Sequence, residues 1–213
     1  MNIDKEWLES LKFKNPTDLG EIATVAIYDE GRLQEILDGI TAKENTYREN
    51  CFHVLQLICD RTPETLYPKW DNFVGLLSSA NAYHRAIGLQ ILARLTIVDE
   101  NQLFEGMFED YFDLLDDDKV MVSRYLVLNV WRVVESKPQL LERIMGRLLA
   151  IEQTRHPESR KALLKADILE VADRYYARIS DKDRLLELAE QALDSSSPKA
   201  RAQAKEFILA HRK

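Results

Sequence analysis

Residues 116–136, DDDKVMVSRYLVLNVWRVVES, pass from three consecutive acids into a stretch that is apolar almost throughout from Val120 to Val134, broken by Arg124 and Arg132. Apolar positions fall at three- and four-residue intervals, the helical period, and they spread over a wider arc than a surface helix needs. A helix covered on one side only carries a narrow stripe. One this apolar must pack against a partner helix and against further neighbours on either flank. The stretch therefore reads as the inner helix of a central repeat in an all-helical stack.

The rest of the chain agrees. Of 213 residues, 46% are hydrophobic and 31% charged, with seven glycines and six prolines, a composition suited to helices joined by short connections. Proline marks helix starts in DRTPETL near 63, RHPESR near 157 and SSSPKA near 198. Periodicity between these marks predicts helices at approximately 4–13, 17–29, 32–41, 46–61, 64–78, 81–97, 100–115, 119–135, 138–153, 157–179, 182–194 and 198–212. Taken in pairs, these are consecutive hairpins.

A stack of equivalent hairpins should repeat its pattern. An arginine near the start of every second helix supplies the anchor: Arg48, Arg85, Arg124, Arg160 and Arg201, at intervals of 37, 39, 36 and 41 residues. Five positions after each stand His53, Gln90, Asn129, Lys165 and Glu206, all polar; six after stand Val54, Ile91, Val130, Ala166 and Phe207, all apolar. Seven after stand Leu55, Leu92, Trp131, Asp167 and Ile208, apolar with one exception.

On these residues the sequence resembles the HEAT-repeat family, helical hairpins that stack into a right-handed superhelical solenoid. The family's acid in the turn and basic residue early in the second helix match best in DDDKVMVSRYLVL, with Asp117 or Asp118 in the first role and Arg124 in the second. The resemblance implies that Arg124 turns back to those acids. It covers approximately residues 32–213, and it implies one solenoid domain over 1–213: an N-terminal capping hairpin at 1–31, then repeats at 32–63, 64–99, 100–137, 138–181 and 182–213. It implies a fold and leaves the function open.

In such solenoids the second helices line a concave face. The equivalent positions are Glu49, His53 and Gln56; Ala86, Gln90 and Ala93; Tyr125, Asn129 and Arg132; Lys161 and Lys165; Ala202 and Glu206. The face should change from acidic and polar to basic along the chain. Tyrosine and arginine are favoured at binding hot spots, so the expected partner surface is Tyr125, Asn129, Arg132, Lys161, Lys165, Gln90 and His53, holding a protein or peptide.

Other chemistry finds little footing. Neither GxGxxG nor GxxxxGK[ST] occurs, and His53, His84, His156 and His211 are dispersed, without HExxH or another metal-ligand spacing, so each reads as a surface or capping residue. The acidic run FEGMFEDYFDLLDDDK, 104–119, lacks the glycine and terminal glutamate of a calcium loop and reads as a solvated outer face, or as a docking patch for a basic partner. Cys51 and Cys59, about 12 Å apart along one helix, cannot bridge there and suit a reducing cytoplasm. No secretory signal is read in MNIDKEWLESLKFKNPTD, and no membrane span is expected.

The net charge of −7 and a pI near 5.2 disfavour nucleic acid as the main partner. The alternative remains a nucleic-acid binder or DNA-repair enzyme using the basic C-terminal repeats, since a HEAT-like family of DNA alkylpurine glycosylases uses a basic, aromatic-lined concave face. That resemblance stops at the repeat: the glycosylases' aspartate and tryptophans find no matching residues, and Trp131 reads as core. The bilin lyases, with similar repeats, offer no matching motif either. The expectation is thus a cytoplasmic, monomeric, non-enzymatic binding module without cofactor or metal.

Overall fold

The computed structural model describes residues 7, 9–14 and 18–212. Among them are twelve α-helices, short 3-10 turns and no strand, and no helix is long and apolar enough to cross a membrane. The expected helix at 4–13 lies partly outside the described residues. The chain divides into two compact units between Asn101 and Gln102. That division coincides with a predicted repeat boundary to within two residues.

In the first unit, α1 (Leu19–Tyr28) and α2 (Glu30–Gly39) follow each other directly; Asp18 accepts the Gly20 amide at one start and Asp29 the Arg32 amide at the other. A carboxylate at this position satisfies N–H groups that lack a helical partner. Helix α3 (Asn45–Arg61) is capped by Glu44, which accepts from Thr46 and Tyr47. These backbone hydrogen bonds, Tyr47 first and then Thr46, hold the Glu44 carboxyl below its ordinary pKa. Thr62 precedes Pro63, which disfavours α conformation, and α3 ends there.

The helix expected at 64–78 is broken. Pro63–Thr65 and Tyr67–Lys69 are 3-10 turns, and only α4 (Trp70–Leu77) is α-helical. Pro68 has no amide to donate and its ring opposes the preceding turn, so a continuous helix cannot pass through it. Helix α5 (Ala82–Leu95) packs on α4 at Gly88, where a Cβ would stand 2.7 Å from the Phe73 carbonyl oxygen. Glycine is required at that crossing. Val54, Leu55, Ile58, Phe73, Leu89 and Leu92 form the fully buried core of this unit.

In the second unit the segment expected as one helix at 100–115 is α6 (Leu103–Gly106), α7 (Phe108–Asp113) and a 3-10 turn at Leu114–Asp116. Its rings Phe104, Phe108, Tyr111 and Phe112 are fully buried and in mutual contact. The opening stretch forms α8 (Val120–Ser136), which ends at Lys137 ahead of Pro138. Its buried residues, Val122, Ser123, Leu126, Val127, Asn129, Val130, Val133 and Val134, occupy the wide arc read from the sequence. The valines have low helix propensity, which this burial offsets.

The helix expected at 138–153 is reduced to α9 (Leu141–Leu148) between 3-10 turns at Pro138–Leu140 and Ile151–Gln153. Three helices complete the unit: α10 (Glu158–Tyr175), α11 (Lys182–Leu193) and α12 (Pro198–His211). The helices α3, α5, α8 and α10 are thus long and continuous, while the segments between them are short and interrupted; α11, between α10 and α12, is continuous. Helices α8 and α12 both pack on α10.

Candidate binding surface

The anchor arginines do a structural task before any functional one. Arg48 donates to the Ala42 carbonyl at 2.9 Å, Arg85 to Ser79 at 2.7 Å and Arg201 to Ser195 at 2.6 Å, in each case six residues back. Each guanidinium thereby closes the turn that precedes its own helix, a contact repeated in both units. A charged donor to a partly buried carbonyl is among the stronger hydrogen bonds, and it ties the turn to the helix that follows.

Arg124 departs from this pattern, and the expected contact with Asp117 or Asp118 is corrected. Its guanidinium grips Asp167 of α10 with two hydrogen bonds, 2.6 and 3.2 Å. Asp117 instead accepts the Lys119 amide, and the Asp118 carbonyl, six residues before Arg124, accepts from Arg160 of α10 at 3.3 Å. Asp167, the one exception in the apolar column, is fully buried and also receives Lys199 of α12 at 3.0 Å. A carboxylate there requires cations, and it has them from the helices on both sides. The hydrogen bond to Asp167 raises the Arg124 pKa above its ordinary value.

The polar column proves largely internal. Gln90 and Asn129 are buried, and each amide nitrogen donates four residues back, to Ala86 at 3.0 Å and to Tyr125 at 2.8 Å. Lys161 and Lys165 are buried as well and converge on Glu152: Lys161 donates to its carbonyl at 2.9 Å and Lys165 pairs with its carboxylate. Burial works to raise the Glu152 pKa, but the hydrogen bond and charge of Lys165, then those of Lys161, outweigh it and leave the group below its ordinary value. Among the seven residues expected to form the partner surface, Tyr125 and His53 are exposed and Arg132 is partly so.

The accessible side of α8 runs through Arg124, Tyr125, Leu128, Trp131, Arg132 and Glu135. Trp131 was read as core. It is partly exposed, with the Arg132 guanidinium over its ring at 4.6 Å and that of Arg174, from α10, at 6.0 Å. One turn further on, Arg178 lies 5.6 Å above the buried ring of Tyr175, whose hydroxyl donates to Glu135 at 2.8 Å. Burial, then Glu135, pushes the Tyr175 phenol up to about 12. Sequence reasoning missed Arg174, Tyr175 and Arg178 because they follow the anchor by more than the columns compared. The spacing of Arg174 and Arg178, four apart at the end of the helix expected at 157–179, was the available signal, although α10 ends at Tyr175 and Arg178 lies in the turn that follows.

The remaining charged segments are paired within the chain. Glu105 binds Lys137, Glu109 binds Arg143 and Arg147, Asp113 binds Arg147 and Asp116 binds Arg155, so the solvated acidic face of 104–119 also carries interhelix ion pairs, with the Glu109 and Asp113 side chains 55% and 70% exposed. The basic stretch at 155–165 is similarly engaged. Of the surface or capping role expected, the surface half fails for His156, which is buried, with Nε2 within reach of the Leu115 carbonyl at 3.0 Å and the Ser123 hydroxyl at 3.1 Å. Both cysteines are buried thiols outside any disulfide, and burial pushes the Cys51 thiol up to about 12. No group of three or more metal-ligating side chains occurs among the described residues. A 420 Å³ groove lined in part by Asp113, Asp116, Arg147 and Arg155 carries both signs of charge.

No family model, curated protein or solved structure matches the chain. What the chain itself defines is an all-helical protein with hairpin turns tied by arginine and an accessible aromatic and arginine surface on α8 and α10.

Proposed function

We propose that the chain is a HEAT-like helical-repeat protein that binds a protein or peptide partner and catalyses no reaction of its own. The six-residue turn contact made by Arg48, Arg85 and Arg201 supports the repeat reading. One observation carries the binding reading. Exposed Tyr125 and partly exposed Trp131 and Arg132 share the accessible side of α8, and Arg174 extends that side onto α10. Tyrosine, tryptophan and arginine are the residue types that dominate interface energetics, because each combines a large apolar area with a directed polar group.

The partner surface is accordingly narrower than the seven-residue set and includes Trp131. Lys161 and Lys165, on which the nucleic-acid alternative relied, are turned to Glu152. The test is capture from a lysate of the source organism by immobilised wild type and by a Tyr125→Ala/Arg132→Glu double variant, each with and without nuclease. A discrete protein retained by wild type after nuclease and lost by the folded variant is expected. Equal capture by both removes this surface, and capture that vanishes with nuclease restores the nucleic-acid alternative.

A further inference from the structure

The chain's acidity is unevenly distributed. Residues 1–101 hold 10 Lys and Arg against 16 Asp and Glu, a net −6, whereas residues 102–213 hold 19 against 20, a net −1. The second unit is therefore nearly neutral, and most of its cations are committed to internal carboxylates. Arg174 and Arg178 are the exception of interest: both are exposed, both lie against aromatic rings, and neither guanidinium has a carboxylate of the described residues within 4.0 Å.

The acids on that side are already engaged elsewhere or offset. Glu135 accepts the Tyr175 hydroxyl, Asp173 faces His211 at 2.7 Å, and Glu170 adds to the field that raises Arg124. Lys182 lies 5.3 Å above the Tyr176 ring, whose other contacts are His211 and Phe207. Thus Arg174 at Trp131 and Arg178 at Tyr175 form a cationic pair at the C-terminal end of α10 beside α8, and both act on the Tyr175 phenol; Arg132 shares the Trp131 ring.

We propose that this cationic pair docks an acidic peptide segment, whose Asp or Glu carboxylates are held by the exposed, ring-backed guanidiniums of Arg174 and Arg178 beside Trp131. The proposal rests on the peptide-binding reading above and specifies its partner. Two physical points select carboxylates. A guanidinium lying over a ring has lost rotamer freedom before binding, and it keeps its N–H fork for a planar anion, so little further ordering is needed. Conversely, single-stranded nucleic acid is gripped by bases stacking on open aromatic faces. Here the Trp131 ring already carries two guanidiniums, the Tyr175 ring is buried under Arg178, and Tyr176 is stacked on His211.

Fluorescence anisotropy with three labelled probes of equal length tests this: a peptide alternating Glu and Leu, the same peptide with Gln for Glu, and oligothymidylate. The intact chain is expected to bind the Glu peptide at least about tenfold more tightly than the Gln peptide or the oligonucleotide, with the preference shrinking as salt rises. Arg174→Glu/Arg178→Glu should abolish the preference. Arg174→Lys/Arg178→Lys, which keeps the charge and discards the planar fork, should lose about threefold or more. Both positions are exposed, and unchanged melting temperatures verify that the variants are folded. Equal binding of the Glu and Gln peptides, tighter binding of the oligonucleotide, or wild-type affinity in the Arg→Glu variant would each overturn the proposal. If the Glu peptide fails while lysate capture still depends on Tyr125 and Arg132, the acidic occupant falls and the binding module stands.

Discussion

Replacing Arg124 by methionine removes the bidentate partner of a carboxylate with no exposed surface, while keeping most of the aliphatic stem that covers α8. Breaking a fully buried pair from one side costs ~3–5 kcal/mol, mainly through the charge left behind. Two features lower that figure here. The Arg124 side chain is 34% exposed, so part of the attraction is screened, and Lys199 still reaches Asp167 at 3.0 Å. A loss of about 2 kcal/mol is expected, roughly 10 °C in the melting temperature of a unit this size.

The sharper quantity is the coupling between the two residues. Arg124→Met combined with Asp167→Leu substitutes an apolar contact for the pair, and such replacements are often neutral, so the double variant should be more stable than the summed single losses by about 1–2 kcal/mol. The same cycle run between Arg124 and Asp118, the partner implied by the family resemblance, should close to within about 0.5 kcal/mol. Urea unfolding followed by circular dichroism measures stability, and hydrogen exchange on α8 and α10 amides localises the change. Additivity with Asp167, or a larger coupling with Asp118, would refute the assignment.

Gly88→Ala should destabilise the first unit by about 1–3 kcal/mol, because the new Cβ meets backbone at Phe73 rather than a movable side chain; Gly75→Ala, with nothing within 4 Å in the middle of α4, should stabilise it by about 0.5–1 kcal/mol. Paired thermal melts decide, and equal effects of the two substitutions would sink the packing argument. Cys51 should resist a thiol-specific disulfide reagent in the native protein at mildly alkaline pH and react on unfolding, as burial holds its pKa near 12; rapid native labelling at Cys51 would contradict this. Cys51 and Tyr175 both hold their protons more tightly when folded than their ordinary values of 9.0 and 10.0 allow. Their contribution to stability is therefore full below about pH 9 and lost progressively toward pH 12. Glu44 has the opposite sign: its depressed pKa contributes above its ordinary value of 4.5 and is lost as pH falls below it. Tyr175→Phe should flatten the alkaline limb and Glu44→Gln the acidic one in a pH series of urea midpoints, and unchanged limbs would remove each assignment.

The long second helices were legible because burial writes a period into them, and their ends because Pro63 and Pro138 stop α3 and α8 two residues earlier. The first helices were less so. Apolar spacing over 64–78 and 100–115 satisfied the helical template, but turns at the helical period bury the same side chains whether they are α or 3-10, and periodicity does not register a Pro68 or a residue such as Gln102 at φ 56°. Partner surface fared similarly. Polar identity at a column position did not distinguish Tyr125, which is exposed, from Asn129, which spends its amide on the Tyr125 carbonyl. A short polar side chain on a helix reaches its own backbone, and only packing decides whether the next helix then covers it.

Asp167 shows what such columns can carry beyond fold. An acid in the otherwise apolar seventh position was recorded as an irregularity, yet an unpaired buried carboxylate is too costly to be tolerated, so the irregularity implied a cation from a neighbouring repeat. The anchor arginine one repeat earlier, 43 residues back, is the residue that turns away from its own hairpin to meet it. Its vacated position beside the Asp118 carbonyl is filled by Arg160, and Lys199 approaches Asp167 from the following helix. One misplaced charge thus redirects three basic residues, and α8, α10 and α12 are tied to one another through a single buried carboxylate. The surface proposed for partner binding lies on α8 and α10, downstream of this tie on both helices. Loosening Arg124 should therefore weaken partner capture in proportion to the lost order of those two helices, and capture that survives intact in an Arg124→Met protein with deprotected α8 amides would separate the tie from the site.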